Sequence, residues 1–508
     1  MTLYLTTPIF YVNAPPHLGH AYTAVVADTV RRFARVDGRA VFLQTGTDEH
    51  GDKIVQAAAA AGVAPRDYVD EVSAKFRSAW SLLLVEPDNF VRTTDPAHIT
   101  VVQGILQKIY EQGDIYFSDY EGLYCQGCER FLTEKELSNN KCPDHLTHPE
   151  KVAEQNYFFR MGRYQQWLLD HIKANPDFIT PTRYRNEIIS FLRDPLADLC
   201  ISRPISRLDW GIPLPFDQNF VTYVWFDALI NYISGIDYPS NRDFVQRWAG
   251  AEHLIAKDIL KPHAIFWPIM LKAMGLTPYR RLHVHGYWNV DETKMSKSIG
   301  NVIRPEELVA DFGVDSVRYF LLREMSFGLD ASYSAEAMRT RHNFDLANDL
   351  GNLFSRSLTM VKNFANGQVP TPGSLRGEDQ ELVLASLAML ADYRDKMRAW
   401  AFRQALETVW ELIGRANRYI VANAPWELAK DPTQAQRLAT VLNTLLETLR
   451  CIAGAMGPIM PEASAKMAAA LGFSLDEGLT AQRHWGRLAP GSKVNLGENL
   501  FPRIKAQK

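Results

Sequence analysis

The chain has 508 residues, 55 Lys plus Arg against 58 Asp plus Glu, and a net charge of −3; that length supports about two to four domains, and the charge balance excludes a global basic footprint for nucleic acid, leaving at most one basic face. Five cysteines in a chain this long exclude a secreted disulfide framework. With no basic segment leading into an apolar one at the start, and no run of about 18 apolar residues, a cytoplasmic protein is expected.

In chain order, Thr2 to Thr7 reads as a buried strand, Pro8 to Pro16 as a loop and Leu18 to Ala34 as a helix. At the helix start His17 and His20 share one face, beside unpaired backbone N–H groups that favour bound phosphate. Gly19 between them removes a side chain where a flat base or ribose would approach. A strand over Val41 to Thr45 and a helix over Asp52 to Ala61 continue an alternation that runs to about residue 115 and predicts a parallel sheet wound with helices. Asp48, in a Gly-containing turn after the second strand, falls where open α/β sheets bind ligands.

From 116 to 210 the composition turns aromatic, charged and cysteine-containing, which reads as an insertion. Within it Cys125, Cys128, Cys142 and His145 form C-x2-C-x13-C-x2-H, a spacing suited to tetrahedral zinc. Three thiolates and one imidazole leave no open position, so the site reads as structural. His148 competes for the fourth place, but Cys142-Pro-Asp-His145 mirrors the first knuckle. Cys200 and Cys451 lack such neighbours and are expected in cores. The α/β pattern resumes with candidate strands over Phe220 to Trp225, Ala251 to Ala256 and Arg281 to His285. Beyond Tyr333 the spacing predicts helices over Leu346 to Phe364, Leu382 to Met397 and Phe402 to Ala422, with a loop over 364–381.

The pairing of His17-Leu18-Gly19-His20 with Lys294-Met295-Ser296-Lys297-Ser298, in that order, resembles the class I aminoacyl-tRNA synthetases. Thr6 to Asn13, Gly46 to Gly51, Tyr124 to Arg130, Ile201 to Arg203, Val224 to Ala228, Lys257 to Ile259 and Ala424 to Trp426 extend the resemblance to the methionyl-tRNA synthetase family along nearly the whole chain. The resemblance implies a Rossmann-type doubly wound parallel sheet, split by a zinc-containing connective insertion and followed by an α-helical bundle. Catalytic halves at 1–115 and 211–285 would flank the insertion at 116–210. A KMSKS loop and stem-contact region over 286–345 and a helical anticodon-binding domain over 346–508 would follow.

The implied reaction activates methionine with ATP to methionyl-adenylate and pyrophosphate, then loads the 3′ end of initiator and elongator tRNA(Met). His17, Gly19, His20, Lys257, Asp258, Lys294, Met295, Ser296, Lys297 and Ser298 are implied at ATP, with Mg²⁺ accompanying the nucleotide. His17, His20, Lys294 and Lys297 would be catalytic, because cations must meet the charge spreading over the phosphates. The resemblance places Pro8, Ile9, Tyr11, Trp225, Ala228, Tyr232, Ile259 and His263 around the methionine side chain and Asp48 on its ammonium. Asn352, Arg356 and Trp426 resemble anticodon readers, and splayed bases do stack on Trp or Arg. One departure is Ala256, where relatives commonly carry Gly. An apolar pocket separates methionine from homocysteine by only about 1 to 3 kcal/mol, so activated homocysteine is expected to be destroyed by cyclisation. The chain stops where the family core ends, and a monomer is expected. Another class I synthetase, a small-molecule nucleotidyltransferase and a non-catalytic tRNA-binding relative are the alternatives.

Overall fold

The structure, a computed structural model, describes all residues except 1, 126–129, 133, 135–136, 144–146, 224, 291–292, 295–301 and 506–508; the side chains of 120–121, 130–132 and 293–294 are also outside the description. The chain forms two compact units, one of Met1–Pro16, Val41–Ala79 and Glu86–His285, the other of His17–Ala40, Trp80–Val85 and Gly286–Lys508. Neither is contiguous in sequence, so both depart from a simple succession of segments.

The first unit is built on a six-stranded, wholly parallel sheet. Its first three strands are β1 (Leu3–Tyr11), β2 (Val41–Asp48) and β3 (Asn89–Arg92). The order across the sheet is β3, β2, β1, Ala251–Ala256, Arg281–His285, Ile179–Thr180. Helices Asp52–Ala61 and Pro96–Glu111 belong to this unit. Its core is a continuous cluster that includes Tyr4, Tyr232, Trp248, Ile255, Trp267 and Val284, all buried.

Three expectations need correction here. β1 does not stop at Thr7 but runs to Tyr11, with a register shift between Thr6 and Ile9. Pro8 has no N–H to donate, so the ladder to β2 slips past it instead of ending. Ile179–Thr180 lies inside the expected insertion yet forms an edge of the main sheet, pairing with Leu282 and His283. Residues 220–225 are not a strand of that sheet. Asp217–Thr222 sits in a separate antiparallel sheet with Ile212–Leu214 and Arg203–Pro204, and Trp225 opens the short helix Trp225–Ala228.

The insertion also holds an antiparallel sheet whose long pair, Ile115–Cys125 with Glu150–Phe159, is flanked by Arg130–Leu132 and Leu199–Cys200, and the helices Gln165–Ala174 and Thr182–Phe191.

The second unit is mainly helical. The helix α1 (Leu18–Val36) joins it together with Val314–Glu324, Gly377–Arg398, Phe402–Asn423 and Ala435–Met456. The expected helix over 346–364 is instead π-helical over His342–Gly351 and α-helical only over Asn352–Phe364. The segment Pro432–Met456 is long and apolar enough to cross a membrane, but its most apolar stretch is 94% buried in the fold, which makes it a core helix.

Arg318, fully buried, gathers the pieces of this unit. It pairs with Asp28 at 2.8 Å and donates to the carbonyls of Leu83, Ile459 and Pro458 at 2.9, 2.9 and 3.0 Å. Breaking a buried pair on one side costs about 3 to 5 kcal/mol, because the remaining charge stays stranded.

Candidate functional site

β1 and β2 run side by side to the pair Tyr11 and Asp48, and the Val12 N–H donates to the Asp48 carbonyl at 3.1 Å. On the other side of β1 the strand Ala251–Ala256 leads into a 3₁₀ turn, Lys257–Ile259, and a π-helical turn, Pro262–Phe266. The chain order reverses between these neighbours, so this end of the sheet is its topological switch point. Ile9, Tyr11, Asp48, Ile259 and His263 are carried there by the fold, with Pro8 buried just upstream in β1.

Several of these side chains bond or stack. The Tyr232 hydroxyl donates to His263 Nε2 at 2.7 Å, and His263 Nδ1–H donates to the Ile259 carbonyl at 2.8 Å. Burial pushes the His263 pKa down to about 4, against the opposing pull of that carbonyl. The ring is therefore neutral at pH 7, with both nitrogens taken by hydrogen bonds. Tyr232 stacks on His253 with centroids 4.1 Å apart. Trp225 is half-buried against the main core and against Leu208, Val221 and Tyr223; its indole N–H is buried with no partner among the described residues. Ala228 and Asp48 are buried.

A neutral buried histidine has a consequence for stability. Between about pH 6.5 and 4 the unfolded chain takes up a proton on His263 that the folded chain refuses, so this residue makes stability fall as pH falls. Denaturant titrations should show that acid-side loss reduced in His263→Asn.

In the second unit His17 caps α1. Its Nδ1 accepts from the Gly19 N–H at 3.0 Å, its own N–H donates to His20 Nδ1 at 3.4 Å, and the two rings stack with centroids 3.7 Å apart. Both Nδ1 atoms are acceptors, so in the neutral rings the proton sits on Nε2. The helix start is less open than its sequence suggests: the Leu18 N–H donates to the Ile303 carbonyl at 2.9 Å and that of Gly19 is taken by His17. Two of the first backbone donors of α1 are thus already used within this unit.

Lys294 does not lie in a loop; its backbone ends the two-residue strand Thr293–Lys294, opposite Asn289. Met295, Ser296, Lys297 and Ser298 lie outside the described residues. Lys257 is half-buried and Asp258 exposed on the 3₁₀ turn. Ala256 has φ −83° and ψ 156°, an extended geometry that any residue adopts, so its methyl brings no backbone strain.

Of the cysteine cluster, Cys128 and His145 lie outside the described residues. Cys125 and Cys142 are buried and pack together with Leu137. His148 is exposed and its Nδ1 meets the Asn140 carbonyl at 3.0 Å. Cys451 is buried as expected; Cys200 is only partly so, with its Sγ 3.1 Å from Arg203 Nη1.

Far along the second unit, Arg356 and Trp426 line one open cleft of about 260 Å³ together with Ser355, Thr359 and Met360. Asn352, one turn before Arg356, is exposed but does not line the cleft. Ala424, in the left-handed region at φ 40°, ends one helix so that Pro425 can open the next and present Trp426, which is 40% exposed. Ser355, Thr359 and Met360 were invisible to sequence reasoning because nothing but helical spacing marks them.

Comparison with known proteins follows the same lines. Residues 3–148 and 134–358 match the family model of class I tRNA synthetases (M), and 369–508 match that of the anticodon binding domain of methionyl tRNA ligase. The methionine--tRNA ligase of Caldanaerobacter subterraneus is 45% identical over 100% of this chain and 80% of its own length; that of Clostridium acetobutylicum is 43% identical over 99% and 78%. Among solved structures, Mycobacterium tuberculosis methionyl-tRNA synthetase in complex with methionyl-adenylate superposes with a TM-score of 0.95 at 40% identity, covering 99% of this chain and 100% of that one. With its parallel α/β sheet, its helical C-terminal part and both family models matched in order, the chain belongs to the methionyl-tRNA ligases, within the class I tRNA synthetases.

Proposed function

We propose that the chain activates L-methionine with ATP, releasing pyrophosphate, and then transfers the methionyl group to the 3′ end of initiator and elongator tRNA(Met). The observation that carries this reading is the neutral, aromatic surface of Tyr232 and His263 beside Ile259, on the unit whose switch point also holds Asp48. Methionine is flexible, apolar and sulfur-bearing, and such walls suit it, while one carboxylate answers its ammonium. Pro8, Ile9, Tyr11, Trp225 and Ala228 would complete that pocket. Bound methionine would present its carboxylate to the α-phosphate of ATP.

In the second unit His17 and His20 would donate Nε2–H to phosphate oxygens, with Lys294 and Lys297 supplying positive charge. Lys257 and Asp258 would meet the nucleoside. A Mg²⁺ held by phosphate oxygens and water would screen the triphosphate. The proposed place of action is the cytoplasm.

Exchange of labelled pyrophosphate into ATP, run with each amino acid in turn, tests the reading. Methionine alone should support it. Exchange with leucine, isoleucine, valine or cysteine instead points to a different synthetase, and none at all to a tRNA-binding relative.

Cys125, Cys128, Cys142 and His145 would hold zinc, which would cross-link a small insertion with little core of its own. About one zinc per chain is expected by elemental analysis. Cys142→Ser should lower that content, and metal-free chain with an intact insertion would sink the assignment.

The cleft of Arg356 and Trp426 is proposed for the anticodon, with Asn352 at its approach. Base stacking on an aromatic side chain contributes about 1 to 3 kcal/mol, so Trp426→Ala should weaken tRNA charging roughly ten-fold or more. Pyrophosphate exchange without tRNA should be unchanged; a parallel loss of both would favour a packing role.

A further inference from the structure

Asp227 is fully buried, and both oxygens of its carboxylate are taken by histidines: Oδ2 by His50 Nδ1 at 2.7 Å and Oδ1 by His98 Nε2 at 2.8 Å. His98 Nδ1 in turn meets the Ser234 hydroxyl at 2.8 Å. Each imidazole can donate one N–H to the carboxylate, while the Ser234 hydroxyl lies against His98 Nδ1 and 3.4 Å from the Asn231 carbonyl. Burial alone would raise the Asp227 carboxyl, but His50 and His98 outweigh it and hold it below the usual carboxylate range.

Keeping an ionised carboxylate in a protein interior is costly unless its bonds are used. Here they join three separate walls. His50 lies two residues beyond Asp48, Asp227 lies between Trp225 and Ala228, and Ser234 lies two residues beyond Tyr232. The last wall is also held from the sheet: Gln44 Nε2 donates to the Asn231 carbonyl and Oδ1 at 3.0 and 3.1 Å, and the Tyr4 hydroxyl donates to the Tyr232 carbonyl at 2.7 Å.

We infer that Asp227 is a positioning residue for amino-acid selection: through His50 and His98 it sets the spacing between the Asp48 segment and the turns that carry Trp225, Ala228 and Tyr232. The inference rests on reading those residues as the methionine pocket. The carboxylate touches no substrate and takes no part in bond making. Its effect is on which side chain the pocket fits.

The test uses the full chain in pyrophosphate exchange with methionine, ethionine and norleucine. Displacing a wall by a fraction of an ångström is expected to raise KM for methionine about ten-fold in Asp227→Asn, with a comparable fall in the preference for methionine over the two analogues. KM for ATP should stay within about two-fold of wild type, a split that a merely structural defect would not produce. Unchanged KM and preference in soluble Asp227→Asn overturn the inference. Trp225→Ala separates the two levels. If it leaves KM for methionine unchanged, the pocket reading itself fails; if it raises KM while Asp227→Asn does not, only the positioning role fails. Should Asp227→Asn not fold, His98→Gln and His98→Leu carry the same comparison. Glutamine keeps an N–H donor and is expected to retain preference that leucine loses; equal preference in the two overturns the role.

Discussion

His17→Asn is expected to lower kcat for methionine-dependent pyrophosphate exchange by about 100-fold, the usual loss when one preorganised donor to a developing anion is removed, while thermal stability stays close to wild type. The two effects separate because His17 does two things. Its Nδ1 caps α1 by accepting from the Gly19 N–H, and in the proposed reaction its Nε2–H faces phosphate. Asparagine is among the best N-caps and keeps the first role, but its side chain is too short to replace the second. His17→Ala should lose both, adding roughly 1 kcal/mol of helix destabilisation to the same fall in rate. His20 stacks on His17 and accepts its N–H, so replacing His20 should also misorient the His17 ring. Exchange rates and melting curves on the same preparations decide the matter; a stable His17→Asn enzyme with wild-type kcat would remove His17 from the chemistry.

Lys297→Ala is the second large effect. Negative charge spreads over the phosphates as the α-phosphate is attacked, and an ammonium that meets it only then stabilises the transition state more than the bound substrates. The exchange rate should fall by about 100- to 1000-fold, with KM for methionine nearly unchanged. Lys294→Ala should act more on KM for ATP, since the Lys294 backbone is itself paired in a strand, opposite Asn289, and has less freedom to move with the reaction. Arginine at position 297 is not expected to restore full rate, because a planar fork does not substitute for a point charge. Equal rates for wild type and Lys297→Ala would refute the role.

Regular alternation made much of the fold legible. The strands Ala251–Ala256 and Arg281–His285 and the helix Asp52–Ala61 lie where period and turn residues put them. What was lost is what local pattern does not encode. Pro8 is a strong breaker signal, yet β1 passes through it because β2 pairs with the strand both before and after the proline. Ile179–Thr180 is too short to announce itself and becomes a strand only through its pairing with Leu282 and His283.

His17, His20 and Asp48 could be named from motifs, and the fold places the histidines at a helix start in the second unit and Asp48 at a strand end in the first. The bonds of Asp227 to His50 and His98 span 177 and 129 residues, so no spacing rule reaches them. His50 and Asp227 stand inside quoted motifs, whereas His98 had no signal beyond its residue type.

The bonds of Arg318 also bear on how the chain is made. Its side chain meets Thr29 of α1 across 289 residues of sequence, so α1 leaves the ribosome long before that partner exists. At about 5 to 20 residues per second the gap is roughly 15 to 60 s. Throughout that time the nascent chain carries a buried-type helix, with Asp28 and its apolar neighbours still lacking their final cover from Val314–Glu324. Folding of the second unit is therefore expected to be largely post-translational, and synthesis arrested before residue 286 should leave α1 protease-sensitive.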